Sequence, residues 1–359
     1  MINPSEITHY SLLTPWKHFT RNPFRVISGV ALLAVILVFA FSLPEPLFKA
    51  PAATVIEDST GRLLGARIAK DGQWRFPVSR DIPEKFEKAV LAFEDKRFYY
   101  HPGVDPLAVG RALWQNISQG QIVSGASTLT MQVIRLSRKD KPRTVWQKIV
   151  ESFLAVRAEV RYTKSEILAL YASHAPFGGN VVGLDAAAWR YFGVPPRNLS
   201  WGQSAALAVL PNAPSMIHPG KNEVAYKQKR DLLLKRLLNR KIIDSTTYEL
   251  ACEEPLPGKP YPVPQAAPHL LNHAIADGKE GERIRTTVDY NLQRSANKVI
   301  ERHHQRLRAN KIHNLAAIIL EVETGVLAYV GNTRDETNHH NTRVDVVTSP
   351  RSTGSTLKP

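Results

Sequence analysis

The sequence is poor in cysteine and in acidic residues, and both shortages limit what the protein can be. One cysteine in 359 residues excludes an intrachain disulfide framework and a cysteine-based zinc cluster. Charged residues make up 22% and aromatic residues 8%, values that are ordinary for globular proteins and argue against wholesale disorder. The 32 acidic residues are outnumbered by 47 lysines and arginines, giving a net charge of +15. This excess predicts an anionic partner, which is a nucleic acid, an acidic lipid headgroup or a phosphorylated substrate.

One long uncharged run narrows that choice. Residues 26–43 contain no charge and are just long enough to predict a transmembrane helix. Lys17, Arg21 and Arg25 precede the run, so residues 1–25 are predicted to be a cytoplasmic tail and the remainder to be exported. A cleaved signal peptide is the weaker alternative, because its apolar region spans only about 7–15 residues. Export to the periplasm excludes nucleic acid and leaves membrane lipids or a phosphate-bearing substrate as partners.

Composition shifts divide the exported part. At roughly 100–200 residues per domain, the length predicts about two domains. Six prolines in 255–268 exclude a helix or a central strand there and predict a boundary. The predicted divisions are a connector with a short β element (44–82), a helical domain (83–254), a Pro-rich linker (255–268) and an α/β segment (269–359). A hairpin is predicted within the connector at 54–64, and two strands are predicted within the last segment at 315–331.

Helical periodicity is clear in the middle of the chain. Residues 146–160 place apolar side chains in one stripe, formed by Trp146, Ile149, Val150, Phe153, Val156 and Val160. Thr163 with Glu166 three residues later predicts a capping box at the start of the next helix. Residues 222–243 predict a basic amphipathic helix with a solvated face over a core stripe.

Three clusters between residues 94 and 171 carry the candidate chemistry. In the first, Glu94 ends an apolar helical pattern, and a carboxyl in such a setting can act as an acid or base; surface ion pairing is the alternative. The second, residues 125–132, offers small residues, hydroxyls and an amide suited to sugar or phosphate oxygens, or simply begins a helix. In the third, residues 143–151, Lys148 and Glu151 share one helix face and alone would form a weak surface ion pair.

Together the three clusters resemble, in order and spacing, the motifs of the family 51 glycosyltransferases, the peptidoglycan polymerases of bacteria. The first matches ED-two-F-two-H-G-V-D, and the second the G-S-T-T-Q string. The phrases HAPFGGN and LPNAPS look most like the penicillin-binding protein 1C branch of the bifunctional class A enzymes. The resemblance covers about residues 55–359. It implies a mainly α protein with a lysozyme-like helical glycosyltransferase domain followed by an incomplete α/β transpeptidase segment.

The resemblance also implies a mechanism and a set of site residues. The substrate would be lipid II, a disaccharide-pentapeptide on undecaprenyl pyrophosphate, and the product a β-1,4 glycan strand formed with inversion. Glu94 would be the general base and Glu151 would orient cations or the sugar. The substrate-binding residues implied are Asp95, Arg111, Ser127, Thr128, Gln132, Arg135, Arg143 and Lys148. The enzyme would work at the inner membrane with its catalytic part in the periplasm, and other cell-wall synthesis proteins are candidate partners.

Departures from the family pattern leave two other functions open. Met131 stands where most relatives have Gln, Gln147 replaces an Arg, and Val150 stands where some relatives have Lys. A non-catalytic scaffold that binds lipid II or the cell-wall machinery is therefore the main alternative. A glycan-cleaving enzyme of lysozyme type also uses a Glu on a helical fold, but its neutral leaving group needs no cations.

The C-terminal residues include a second, incomplete motif. Ser355 and Lys358 match S-x-x-K, the nucleophile and lysine of penicillin-binding transpeptidases, while an exposed Ser/Lys pair is the alternative. Since the later elements of that site are absent, we expect a vestigial motif without acyl transfer. The pairs His303–His304 and His339–His340 lack carboxylate partners at ligand spacing, so no metal site is predicted. No cofactor is required, although a divalent cation (Mg²⁺ or Mn²⁺) on the pyrophosphate is compatible with the mechanism.

Overall fold

The part of the protein that the structure describes is mainly helical, with three small sheets. The computed structural model describes residues 23–121, 125–138, 141–142, 144–212, 219–323, 325–333 and 340–350. The helices are α1 (Pro23–Phe41), α2 (Glu84–Glu94), α3 (Pro106–Gln119), α4 (Leu129–Ser137), α5 (Val145–Arg161), α6 (Lys164–His174), α7 (Leu184–Phe192), α8 (Trp201–Val209), α9 (Glu223–Asn239), α10 (Ser245–Glu253), α11 (Pro268–Ala276) and α12 (Tyr290–Leu307). The strands are β1 (Thr54–Glu57), β2 (Leu63–Arg67), β3 (Trp74–Arg75), β4 (Pro176–Gly178), β5 (Val181–Val182), β6 (Arg283–Arg285), β7 (Ala317–Glu321) and β8 (Gly325–Val330).

The first helix differs from its prediction. It ends at Phe41, whereas the transmembrane helix was predicted to continue to residue 43. Among the residues that the structure describes, none of the helices has both the length and the apolar character that crossing a bilayer requires. The predicted transmembrane helix is therefore not confirmed. The C-terminal end of α1 packs on α5, where the Phe39 and Phe153 rings meet edge to face and Arg157 Nε donates to the Phe39 carbonyl.

Local sequence signals set the starts of several helices. The predicted capping box of α6 is confirmed, because the Thr163 hydroxyl accepts from the Glu166 N–H while the Glu166 carboxylate accepts from the Thr163 N–H. Asp105 caps α3 by accepting the Leu107 and Ala108 N–H groups, and it is followed by Pro106, a residue favoured at the first helical position. These caps fix where the helices around the site begin.

The core of the helical region is built around α8. Its residues from Ser204 to Val209 are all buried, because α2, α7, α9 and α10 contact it on several sides. Small alanines on α8 permit this close packing, and Phe86 of α2 and Leu234 of α9 fill the space beside it. Helix α2, which carries Glu94 at its end, is thus held against the most buried helix of the fold.

The apolar stripe of α5 lies mostly at the surface. Trp146 is 67% exposed and Ile149 is 56% exposed, whereas the face toward the core carries Leu154, Ala155 and Ala158. Periodicity predicted the stripe, but the small residues beside it are the ones that pack on the core.

Strands from before and after the helical region meet in one sheet. The predicted hairpin is confirmed as antiparallel β1–β2, and β6 pairs in parallel with β1. Arg283 of β6 forms ion pairs with Glu57 of β1 and with Asp185 of α7. The segment after residue 268 is therefore tied to the helical region by a strand and by buried charges.

The hairpin predicted in 315–331 is present as β7–β8. Helix α12 packs on β8, and the Gln293 amide both donates to and accepts from the Tyr329 backbone, at 2.9 and 2.7 Å. Ser355 and Lys358 lie outside the described residues, so the predicted vestigial motif is left as a prediction.

Gly103 allows a tight contact between the turn after α2 and helix α5. Its φ is +90°, and a Cβ atom there would lie 2.6 Å from the Ala155 carbonyl oxygen. We expect Gly103→Ala to lower the free energy of unfolding by about 2 kcal/mol or more, measured by urea denaturation. Gly110→Ala, at an open position in α3, should instead raise it by about 1 kcal/mol. Equal effects of the two substitutions would contradict the contact.

Candidate active site

A cavity of about 740 Å³ opens beside the end of α2. Five of the residues that the sequence assigned to catalysis or substrate binding line this cavity, namely Glu94, Ser127, Gln132, Arg135 and Glu151. The other lining residues are Phe48, Ala50, Asp71, Gln73, Arg75, Leu136, Arg138, Lys141, Tyr171, His174, Pro176, Val182, Pro211 and Asn212. All three sequence clusters thus contribute to the wall: the first through Glu94, the second through Ser127 and Gln132, and the third through Glu151.

Glu94 is a partly buried carboxyl on this wall, and two side-chain amides contact it. The Gln132 Nε2 donates to its Oε2 at 2.7 Å, and the Asn212 Nδ2 lies 3.4 Å from its Oε1. Burial raises the pKa of Glu94, and it outweighs the hydrogen bonds from Gln132 and Asn212 and the charge of Arg135, which lower it. A carboxyl with a raised pKa holds a proton more readily at neutral pH and is suited to proton transfer.

Asp95, the next residue, points into the protein rather than into the cavity. Its carboxylate accepts the Leu129 N–H at 2.9 Å and lies 3.0 Å from His101 Nε2. It is 6% exposed and is not part of the cavity wall. Asp95 therefore joins the end of α2 to the start of α4 and to the turn that follows α2.

That turn is held by further charged contacts. The Arg97 Nη2 lies 2.6 Å from Asp105 Oδ1, which also accepts backbone N–H groups at the start of α3. Lys164 Nζ donates to the His101 carbonyl at 2.7 Å and to Glu159 at 2.8 Å. These contacts keep the turn, and with it the end of α2, in one position.

The second cluster divides between the wall and the core. Ser127 and Gln132 line the cavity, whereas Thr128 caps α4. The Thr128 hydroxyl accepts from the Met131 N–H and donates to the Gly103 carbonyl at 2.6 Å. Its predicted role in substrate binding thus falls on a side chain whose hydrogen bonds are used within the protein. Met131 is 1% exposed and belongs to the core, so its departure from the family pattern does not alter the wall.

Three cations of the wall lie in the last turn of α4 or just after it, namely Arg135, Arg138 and Lys141. Arg135 was predicted, but Arg138 and Lys141 were not. None of the three forms an ion pair with another described residue. These three side chains are consequently available to bind an anion that enters the cavity.

Three other predicted cations are not part of the described wall. Lys148 is exposed on α5, and Arg111 is exposed on α3. Burial lowers the pKa of Lys96, and the charges of Arg240, Arg236 and, least of these, Arg111 lower it further. Arg143 lies outside the described residues.

Sequence reasoning missed several wall residues. Tyr171 ends the segment YTKSEILALY, and Asn212 stands in LPNAPS. Both segments resemble later motifs of the family, but the resemblance was not used to assign a role to these two side chains. Three further wall residues lie in the connector, in β3 or just before it, where no sequence pattern indicated a site; they are Asp71, Gln73 and Arg75. Within the described ranges, three or more histidine, cysteine or acidic side chains nowhere gather as metal ligands.

Comparison with known proteins agrees with this geometry. Residues 61–238 match the transglycosylase family. The chain is 36% identical over 318 residues to penicillin-binding protein 1C of Escherichia coli, which covers 88% of this chain and 41% of that protein. It is 34% identical over 318 residues to penicillin-binding protein 1A of Aquifex aeolicus, covering 84% of this chain and 43% of that protein.

The chain belongs to the transglycosylase family. The predicted resemblance to the class A penicillin-binding proteins, including the 1C branch, is thereby confirmed. The chain spans about two fifths of the length of these two relatives.

The Asp95 contacts generate a stability prediction. Asp95→Ala removes the acceptor for the Leu129 N–H and for His101, and hydrogen bonds to charged groups contribute about 1.5–3 kcal/mol each. We expect the free energy of unfolding, measured in urea, to fall by about 3 kcal/mol. Asp277→Ala, at an exposed position after α11, should change it by less than about 0.5 kcal/mol. A small effect at Asp95 would show that it does not hold the two helices together.

Proposed function

We propose that the chain is a peptidoglycan glycosyltransferase that polymerises lipid II into β-1,4 glycan strands and releases undecaprenyl pyrophosphate. The observation that carries this proposal is the Glu94 carboxyl, whose pKa burial raises, on a cavity wall that also holds cations without an ion pair to another described residue. The family membership supports the reaction class. Lipid II contains both groups that such a wall can bind, a sugar hydroxyl for the carboxylate and a pyrophosphate for the cations.

In this proposal Glu94 is the general base. Its carboxylate removes the proton from the 4-hydroxyl of the acceptor sugar as that oxygen attacks the anomeric carbon of the donor. The new glycosidic bond forms on the opposite face from the breaking bond to pyrophosphate, so the configuration inverts. Gln132 and Asn212 hold the carboxylate in place, and its raised pKa makes it a better proton acceptor than an exposed glutamate.

The cations in the last turn of α4 and just after it fit the charge of the substrate. General base catalysis accelerates a reaction by about 10²–10⁴-fold, so stabilisation of the leaving pyrophosphate must supply much of the remaining rate enhancement. Arg135, Arg138 and Lys141 are the described side chains best suited to that task. The reaction as written requires no cofactor, and a divalent cation would bind to the pyrophosphate of the substrate. A glycan-cleaving enzyme would gain nothing from this charge, because its leaving group is neutral.

The substrate's lipid tail accounts for the apolar surface. Helices α3 and α5 expose large apolar side chains, which are Leu107, Leu113, Trp114, Ile117, Val145, Trp146 and Ile149. Most of α1 is likewise apolar and exposed. Exposed apolar surface of this kind favours contact with lipid. We therefore propose that the enzyme works against the inner membrane on its periplasmic side, where other cell-wall synthesis proteins are candidate partners.

Glu94→Gln tests the proposed base. It keeps the size of the side chain but cannot accept the proton, so glycan formation from labelled lipid II should fall by about 10²–10⁴-fold. Glu84→Gln, at an exposed position on the same helix, should retain full activity. Full activity of the Glu94 variant would refute the assignment, and a wild type that binds lipid II without making glycan would favour the scaffold alternative.

The same variant has an expected effect on stability. Because the folded-state pKa of Glu94 is raised, the carboxylate opposes folding once the pH rises through that pKa. Glu94→Gln should therefore have a higher midpoint of thermal unfolding than the wild type at neutral pH. The difference should shrink at acidic pH, where Glu94 is protonated in both states.

Gln132→Leu should move the pH dependence of the reaction. The Gln132 hydrogen bond lowers the pKa of Glu94, so its loss should raise that pKa further. The base must be deprotonated to act, so activity should be lost at a higher pH as the solution is acidified. The measurement is the acid limb of kcat/KM against pH, with Gln228→Leu on α9 as an exposed control. A limb that stays in place or shifts to lower pH would contradict the proposed contact.

A further inference from the structure

One tyrosine hydroxyl on the cavity wall has no role in the proposal so far. Tyr171 of α6 is fully buried, and its side chain lines the cavity that contains Glu94. Its hydroxyl has no hydrogen-bond partner among the residues that the structure describes. Buried hydroxyl groups almost always have a partner, so this one is placed to receive a partner from outside the fold.

Two other buried tyrosines show the ordinary arrangement. The Tyr226 hydroxyl donates to the Ala206 carbonyl at 3.1 Å, and the Tyr191 hydroxyl lies 3.0 Å from the Gly178 carbonyl. Neither side chain lines the cavity. The unpaired hydroxyl therefore coincides with the cavity wall rather than with tyrosine burial in general.

The surroundings determine what Tyr171 can offer to a ligand. Burial raises the pKa of Tyr171 well above its ordinary value, the Glu94 carboxylate raises it further, and Arg135 lowers it. The phenol accordingly keeps its proton and can donate. Among the described residues, Glu94 included, none accepts this proton, so it is left for another acceptor.

We propose that the Tyr171 hydroxyl is a substrate contact that donates a hydrogen bond to an oxygen of the acceptor sugar next to the hydroxyl that Glu94 deprotonates. This inference rests on the proposed function and adds a residue to it. A neutral donor fixed beside the base suits a sugar oxygen, whereas the charged side chains of Arg135, Arg138 and Lys141 better match the pyrophosphate. The contact holds the sugar ring so that the reacting hydroxyl faces the carboxylate.

Tyr171→Phe in the full chain is the test, because it removes only the oxygen atom. A hydroxyl unpaired in the free protein contributes nothing to folding, so the thermal midpoint should stay the same or rise. In the complex one hydrogen bond is lost, and kcat/KM for lipid II should fall by about tenfold.

Tyr226→Phe is the matched control with the opposite expectation. Its hydroxyl is used within the protein, so the thermal midpoint should fall while kcat/KM of the folded enzyme is unchanged. If Tyr171→Phe loses as much thermal stability as Tyr226→Phe, the Tyr171 hydroxyl is paired inside the protein and the inference is wrong. Unchanged kcat/KM in Tyr171→Phe overturns it equally.

A binding measurement separates this inference from the proposed function. Lipid II affinity is compared between Glu94→Gln and the double variant Glu94→Gln/Tyr171→Phe, neither of which turns substrate over in the proposed mechanism. A loss of about tenfold in the double variant supports the contact even if the wild type proves inactive as a polymerase. Equal affinities overturn the Tyr171 contact and leave the role of Glu94 intact. If lipid II binds to neither variant, the Tyr171 contact and the proposed function are both overturned.

Discussion

The buried carboxylate of Asp95 is the interaction on which the site depends. It accepts from the Leu129 N–H at the start of α4 and contacts His101 in the turn after α2. Thr128 adds a second link between the same segments through the Gly103 carbonyl. Because Glu94 precedes Asp95 and Gln132 lies one turn into α4, these two links determine how the acid and its amide partner meet. The adjacent acidic residues thus divide the work, one facing the cavity and the other holding the helices.

Burial on this frame explains the electrostatics of the cavity. Glu94 is the last residue of α2, which packs on the core helix α8, and its carboxylate accepts from Gln132 of α4. Burial in this position raises the pKa of Glu94. Arg138 and Lys141 come from the chain just after α4 and lie on the same wall, and neither forms an ion pair with another residue that the structure describes. A proton acceptor and a set of free cations therefore line one cavity, the combination that transfer from a pyrophosphate-linked sugar requires.

The sequence predicted the members of the site better than their tasks. Four residues that the motif spacing assigned to the site lie on the cavity wall, namely Glu94, Ser127, Gln132 and Arg135. Local caps such as Thr163 were predictable because they depend on neighbours in the chain. Thr128 was assigned to substrate, yet its hydroxyl bonds to a residue 25 positions away. Long-range contacts of that kind leave no periodic pattern. The same reason hid Tyr171, whose position on the wall depends on how α6 packs against α4.

The central claim is that lipid II binds in this cavity with its acceptor sugar at Glu94. The most direct measurement is an experimental structure of the full-length Glu94→Gln variant with lipid II bound, since the inactive variant preserves the substrate. The account predicts the acceptor 4-hydroxyl within hydrogen-bonding distance of residue 94 and the pyrophosphate against Arg135, Arg138 or Lys141. Lipid II bound elsewhere, with an empty cavity, would contradict it.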